Sequence, residues 1–324
     1  MAGRKEHEKR VIKKIDDKIS DLPSYMKGFY YSLISKSYTT REAYINKTCA
    51  FINFLNNNLG FDTSNVNCFN NVKPSMINMY INSLENISNS SKANYLYAAK
   101  NFFEYLVNDE IINNNPFDKI SIPKDNKEHK ITYLDKKEIK LIENNIKNSY
   151  KTSRTEKWAK RDYAIIILSL SLGLRVTSVT EIDVDDIDFE NRKIKVVEKG
   201  NKIRELLFSE EIKDVLLDWM EDREVLLSPH IHKVRALFIS NRKTRMTSKS
   251  IYNIVIKYTE NIDKHITPHK LRSTCATNVY NKTGDIYLTA DVLGHSNISN
   301  TRRYAQISEE RKKRAAEAMD DILF

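Results

Sequence analysis

Cysteine is scarce. Cys49, Cys68 and Cys275 make an odd count at no metal-ligand spacing, which argues against a disulfide-stapled secreted fold and points to reduced thiols in the cytoplasm. Apolar runs are short as well: the longest, Ala164 to Leu174, falls below the ~20 residues that span a bilayer and reads as a buried helix. No membrane partner is expected. The first residues are charged throughout, so no secretory signal is expected. No GxxxxGK(S/T) phosphate loop occurs, which removes the usual sign of ATP use. Acidic residues crowd at Asp183, Asp185, Asp186 and Asp188, but an EF-hand would need Gly at the sixth loop position and Glu at the twelfth. A solvated turn is the better reading. With no paired carboxylates or His cluster arranged for Mg²⁺ or Zn²⁺, neither a metal nor another cofactor is expected.

Basic charge is abundant. Lys and Arg number 53 against 43 Asp and Glu, a formal net charge of +10 with pI near 9.2, so a polyanionic partner is favoured and nucleic acid is the first candidate. At 324 residues the chain has room for two domains, each able to bury a core.

Residues 1–22 read as a basic helical extension, with Val11, Ile12, Ile15, Ile19 and Leu22 recurring at helical spacing. From residue 23 to 117 helical patterns dominate. Thr39-Thr-Arg-Glu offers a capped start, followed by an apolar face of Tyr44, Thr48, Phe51, Ile52 and Leu55. Pro74 opens a helix carrying Ile77, Tyr80, Ile81 and Leu84, and Ser90-Ser-Lys-Ala starts another bearing Tyr95, Leu96, Phe102, Phe103 and Leu106. Lys92 and Lys100 are candidate phosphate contacts, each weighed against a solvated lysine. Residues 118–130, polar and interrupted by Pro123, form the best linker. Two domains on such a strap would close round a duplex as a clamp, binding through many phosphates and weakening steeply with salt. In 131–324 the strand signals are Lys193 to Val197, a turn at Lys199-Gly-Asn-Lys202 and Ile203 to Phe208, with 185–189 a possible third strand. From Glu210 onward everything reads as helix. The fold class expected is mainly α with a small antiparallel β-sheet.

The chemistry concentrates in the last sixty residues. Thr267 can cap a helix and Pro268 suits its first position. His269 and Arg272, three residues apart, then share a face near an N-terminus whose free N–H groups and dipole attract an anion. His295 follows Gly294, which can end the preceding helix, and Tyr304 follows a polar run able to start another. Two His, an Arg and a Tyr around an anion suggest phosphate chemistry with a phenol as nucleophile.

Taken in order, Gly173-Leu174-Arg175, Lys199 in a hairpin turn, His269-Lys-Leu-Arg272, Leu293-Gly-His295 and Tyr304 resemble the tyrosine recombinase (phage integrase) family, of the Xer-like kind. The resemblance implies a SAM-like helical DNA-binding bundle ahead of an α+β catalytic domain. It implies Arg175 and Arg272 on the non-bridging oxygens of a phosphodiester, with His295 donating beside them and His269 positioning the phosphate or moving a proton. Tyr304 would attack phosphorus to form a 3′-phosphotyrosyl bond, its phenol made more acidic by nearby cations. Lys199 would protonate the departing 5′-oxygen, with Lys202 as a further DNA contact. Partners implied are double-stranded DNA with inverted-repeat sites and a homotetramer joined through the C-terminal helix, whose apolar stripe runs from Ala315 to Phe324. The bond energy kept in the covalent step lets a 5′-hydroxyl reseal the strand without ATP, as integration, excision or resolution by a mobile genetic element requires. No separate arm-binding domain is expected ahead of residue 23. One position departs from the family: Ser178 stands where Glu or Asp usually follows the first Arg by three residues, with Glu181 a candidate to compensate. Rival readings are a type IB topoisomerase or telomere resolvase, which share the chemistry, and a catalytically idle DNA-binding protein.

Overall fold

The computed structural model describes residues 12–13, 16–124, 131–150, 153–198, 202–227, 234–295 and 297–304. The chain divides into two compact units, 1–128 and 129–324.

In the first unit α1 (Ser24–Ser32), α2 (Tyr38–Leu59), α3 (Pro74–Ser83) and α4 (Asn89–Asn108) surround an aromatic core. Phe51, Phe69, Phe102, Phe103 and Phe117 are almost fully buried and meet mostly edge to face, as at Phe69–Phe102, 5.3 Å between centroids. That geometry suits the ring quadrupoles. Residues 16–20 are helical, and Ile19 and Leu22 pack into this same core, so that part of the amphipathic stripe is buried; Val11 and Ile15 lie outside the described residues. Two helices begin earlier than the sequence suggests. Ser37 caps α2 by accepting from Thr40 N at 3.3 Å, and Ser88 caps α4 by accepting from Ser91 N at 3.1 Å; in each case the serine lies three residues ahead of the amide it satisfies.

The second unit holds α5 (Lys136–Lys147), α6 (Ser153–Leu172), α7 (Val176–Glu181), α8 (Glu210–Leu226), α9 (Ser248–Thr259), α10 (Pro268–Thr283), α11 (Ile286–Leu293) and α12 (Ser299–Arg302). Its antiparallel sheet runs β1 (Ile187–Asp188), β2 (Lys193–Val197), β3 (Ile203–Leu207) in that order, with Val197 opposite Ile203 and Ile194 opposite Ile187. Helix α6 packs against both α8 and α10. Not everything after Glu210 is helical. Ala236 to Ile239 form a buried extended segment, bridged from Ala236 to Asp183 and from Ile239 to Arg245. Four consecutive buried apolar residues suit a strand-like path through the core, and Trp219 Nε1 donates to the Leu237 carbonyl at 2.9 Å. The acidic stretch is spent locally: Asp183 pairs with Arg245, Asp185 with Arg235, and Asp188 accepts from Asn191 N at 2.9 Å. No helix among the described residues is long and apolar enough to cross a membrane.

Candidate active site

The site is assembled by two left-handed glycines and one buried arginine. Helix α6 ends at Gly173, φ +58°, where a Cβ would stand 2.9 Å from Leu293 Cδ2 and 3.2 Å from Cys275 Sγ. Only a residue without a side chain allows both the conformation and the approach. Leu174 turns into the core, and Arg175 becomes the N-cap residue of α7. Helix α11 ends at Gly294, φ +63°, which aims His295 away from the helix. Arg272, on the second turn of α10 and 4% exposed, donates to the carbonyls of Gly173 and, at 2.6 Å, of Leu293. One side chain thus clasps both corners.

A cleft of 410 Å³ is lined by Arg175, His269, Arg272, His295, Arg303 and Tyr304, among others. It therefore brings together five of the residues expected to act. The sixth, Lys199, lies outside the described residues. Lys202 is exposed, and its carbonyl accepts from Glu198 N at 2.8 Å, closing the strand pair at the base of the turn. Pro268 opens α10 as expected, but Thr267 makes no side-chain cap; its carbonyl instead accepts from Lys270 N at 2.8 Å. Tyr304 is 4% exposed and packs with Ala276 and Leu293. In the first unit, Lys92 Nζ donates to the Ile81 carbonyl at 3.2 Å and Lys100 pairs with Asp118 at 2.8 Å, so each already has a partner within the bundle.

Charge is dense here. Burial, then neighbouring Arg175, pulls the Arg272 guanidinium down to about 10, with Glu198 and Tyr304 acting in the opposite sense. It stays cationic at neutral pH. Burial also pushes His295 down to about 4, assisted by Arg272, Arg175, Arg303 and His269. A neutral imidazole carries one N–H. His295 Nδ1 lies 2.9 Å from Thr301 Oγ1, and if that hydroxyl donates, the proton is left on Nε2.

A stability prediction follows from the sign of this shift. The unfolded chain protonates His295 near its usual value while the folded chain resists until about pH 4. Stability should therefore fall as pH drops from ~6.5 towards 4, and His295→Gln should remove part of that slope. Urea unfolding of both proteins across the window checks it; identical slopes would refute the assignment.

Two residues went unanticipated. Glu198, whose side chain is 8% exposed, pairs with Arg175 and lies 3.1 Å from Arg204 Nη2. Arg204 in turn donates to the Val292 carbonyl at 2.9 Å. The signal was available in the strand alternation: Ile194 and Val196 are buried, and Glu198 continues their parity. An acid on the core-facing side of a strand calls for a buried partner.

The chain is similar to known proteins in sequence and in fold. The model of the phage integrase family matches residues 132–311. Tyrosine recombinase XerC of Caldanaerobacter subterraneus subsp. tengcongensis is 32% identical over 230 residues, covering 69% of this chain and 61% of that protein. The chain thus matches less than two thirds of that relative's length. Tyrosine recombinase XerC of Vibrio vulnificus is 31% identical over 225 residues, with 69% and 68% covered. Among solved structures, the fold is similar to XerH site-specific recombinase bound to palindromic difH substrate, with TM-score 0.62, 23% identity, and 77% and 73% covered. It is also similar to a lambda integrase dimer bound to a COC′ core site, with TM-score 0.65, 16% identity, and 87% and 76% covered.

Proposed function

The chain belongs to the phage integrase family, and from that premise we propose that it is a site-specific DNA recombinase that cuts and rejoins strands through a 3′-phosphotyrosyl intermediate. The observation that carries this reading is the convergence of Arg175, His269, Arg272, His295 and Tyr304 on one cleft. Two guanidinium groups there offer N–H donors to the non-bridging oxygens of a phosphodiester, where charge develops as phosphorus becomes pentacoordinate. His295 adds a ring N–H donor, and His269 orients the phosphate. The Tyr304 oxygen attacks phosphorus as the bond to the 5′-oxygen breaks; attack by a 5′-hydroxyl then expels the tyrosine and restores a phosphodiester. Double-stranded DNA is the partner, gripped by the N-terminal bundle of 23–117 and the catalytic domain of 131–324 across the 118–130 linker. A homotetramer on two inverted-repeat sites, joined through the C-terminal helix, completes the reading; that helix lies outside the described residues.

The test uses duplexes recovered by binding from a random-sequence pool and then nicked at successive positions. Cleavage beside a nick releases a short fragment and strands the protein on DNA. An SDS-resistant adduct mapped to Tyr304 is expected; its absence with every selected duplex would refute the reading.

Lys199 is assigned as the acid for the leaving oxygen, on the resemblance of its motif and its place in the sequence between β2 and β3. Lys199→Ala should slow cleavage by roughly 10²–10⁴-fold. A 5′-bridging phosphorothioate departs without protonation, so that substrate should recover the rate. If sulfur brings no recovery, Lys199 is not the acid and Lys202 becomes the candidate.

A further inference from the structure

Ser178 occupies the position where a carboxylate would be expected, and its hydroxyl instead donates to the Val197 carbonyl at 2.8 Å. The first turn of α7 is thereby tied to the end of β2, and the next residue in the chain is Glu198. The two carboxylate oxygens of Glu198 have separate guanidinium partners. Oε2 pairs with Arg175, and Oε1 lies 3.1 Å from Arg204 Nη2. Arg204 is anchored at the opposite corner: it donates to the Val292 carbonyl at 2.9 Å and lies under Gly294, where a Cβ would come within 3.0 Å of its guanidinium carbon. A single carboxylate therefore links Arg175 to the turn that presents His295, and it immediately precedes Lys199 in sequence.

Resting on the recombinase reading above, we propose that Glu198 is the positioning carboxylate of this site, supplied by the residue that follows β2 in place of the acid missing at Ser178. Its charge offsets part of the repulsion among Arg175 and Arg272, which line the cleft, and Arg204, whose charge also acts on Arg272. Its bond to Arg175 restricts the guanidinium plane, so the donors are oriented in advance of substrate. Glu198 does not contact the reacting atoms in this role; it acts through Arg175.

The experiment measures single-turnover adduct formation on the nicked duplexes for wild type, Glu198→Gln, Arg175→Ala and the double variant, with DNA affinity and thermal melting measured alongside. Glu198→Gln should slow cleavage by roughly 10–100-fold while leaving DNA affinity unchanged. That penalty should largely vanish in the Arg175→Ala background, because a residue acting through Arg175 has nothing left to position. If Glu198→Gln does not fold, Glu198→Asp, which keeps the charge but shortens its reach, enters the same cycle. Wild-type cleavage by the variant, or a penalty unchanged without Arg175, overturns the proposal. Both of those outcomes leave the recombinase reading standing when wild type forms its Tyr304 adduct; no wild-type adduct removes both.

Discussion

Tyr304→Phe is expected to bind DNA as wild type does and to form no covalent adduct at all. The substitution deletes one oxygen and keeps the ring that packs with Ala276 and Leu293, so folding and the shape of the cleft should survive. In the proposed mechanism that oxygen is the attacking atom, so its removal should abolish the chemical step instead of weakening it. Affinity, by contrast, is spread over many phosphate contacts made by basic residues, none of which is touched. The measurement pairs a mobility-shift titration with SDS gels of the nicked-duplex reaction, and includes Tyr252→Phe as a control. Tyr252 lies on α9 with its hydroxyl 3.3 Å from His265 Nε2, and losing that hydroxyl should leave the adduct intact. An adduct that persisted in Tyr304→Phe would place the nucleophile elsewhere.

How far this site could be read from sequence follows from how each residue is positioned. Arg175, His269, Arg272, His295 and Tyr304 were singled out by the order of their motifs and the family it resembles, and all five line one cleft; local signals account for how some of them are presented. A left-handed glycine precedes Arg175 by two residues and His295 by one, while His269 and Arg272 share a face of a helix opened by proline. Antiparallel β2 and β3 were legible from alternation about a turn. What local pattern could not supply was the pairing across elements. That Arg204 on β3 reaches the carbonyl of Val292 on α11 depends on how the sheet sits against distant helices. The Ser178 hydroxyl bond to Val197 is non-local in the same way. The extended path of Ala236 to Ile239 was missed because a short apolar run has no period of its own. Likewise nothing nearby in sequence identifies the Ile81 carbonyl as a partner of Lys92, or Asp118 as a partner of Lys100.

Arg272→Ala should combine a catalytic loss with a structural one, and the two can be separated. Its guanidinium carries five N–H donors, and bonds to Gly173 and Leu293 take one from each terminal nitrogen. The remaining donors belong to a side chain that lines the cleft. Losing a preorganised donor to a developing oxyanion costs on the order of 10²–10³ in rate, so cleavage should fall by about 10³-fold or more when the whole group goes. Two buried carbonyls are orphaned as well, at about 1–3 kcal/mol each where water cannot replace the donor. The melting temperature should therefore drop together with the rate. Arg272→Lys divides these effects: it keeps the charge, but a single ammonium cannot reproduce the fork that reaches both carbonyls. Lysine should recover part of the affinity for a phosphate while leaving cleavage far below wild type and the fold still weakened. Rates from single-turnover trapping and stabilities from urea unfolding, taken at one pH for all three proteins, provide the comparison. If Arg272→Ala cleaved within tenfold of wild type, the electrostatic role would fail; if it melted with wild type, the clasp between the two corners would be without structural weight. The pattern required is a deep loss of rate in both variants, with DNA affinity falling by no more than one phosphate contact among many would cause.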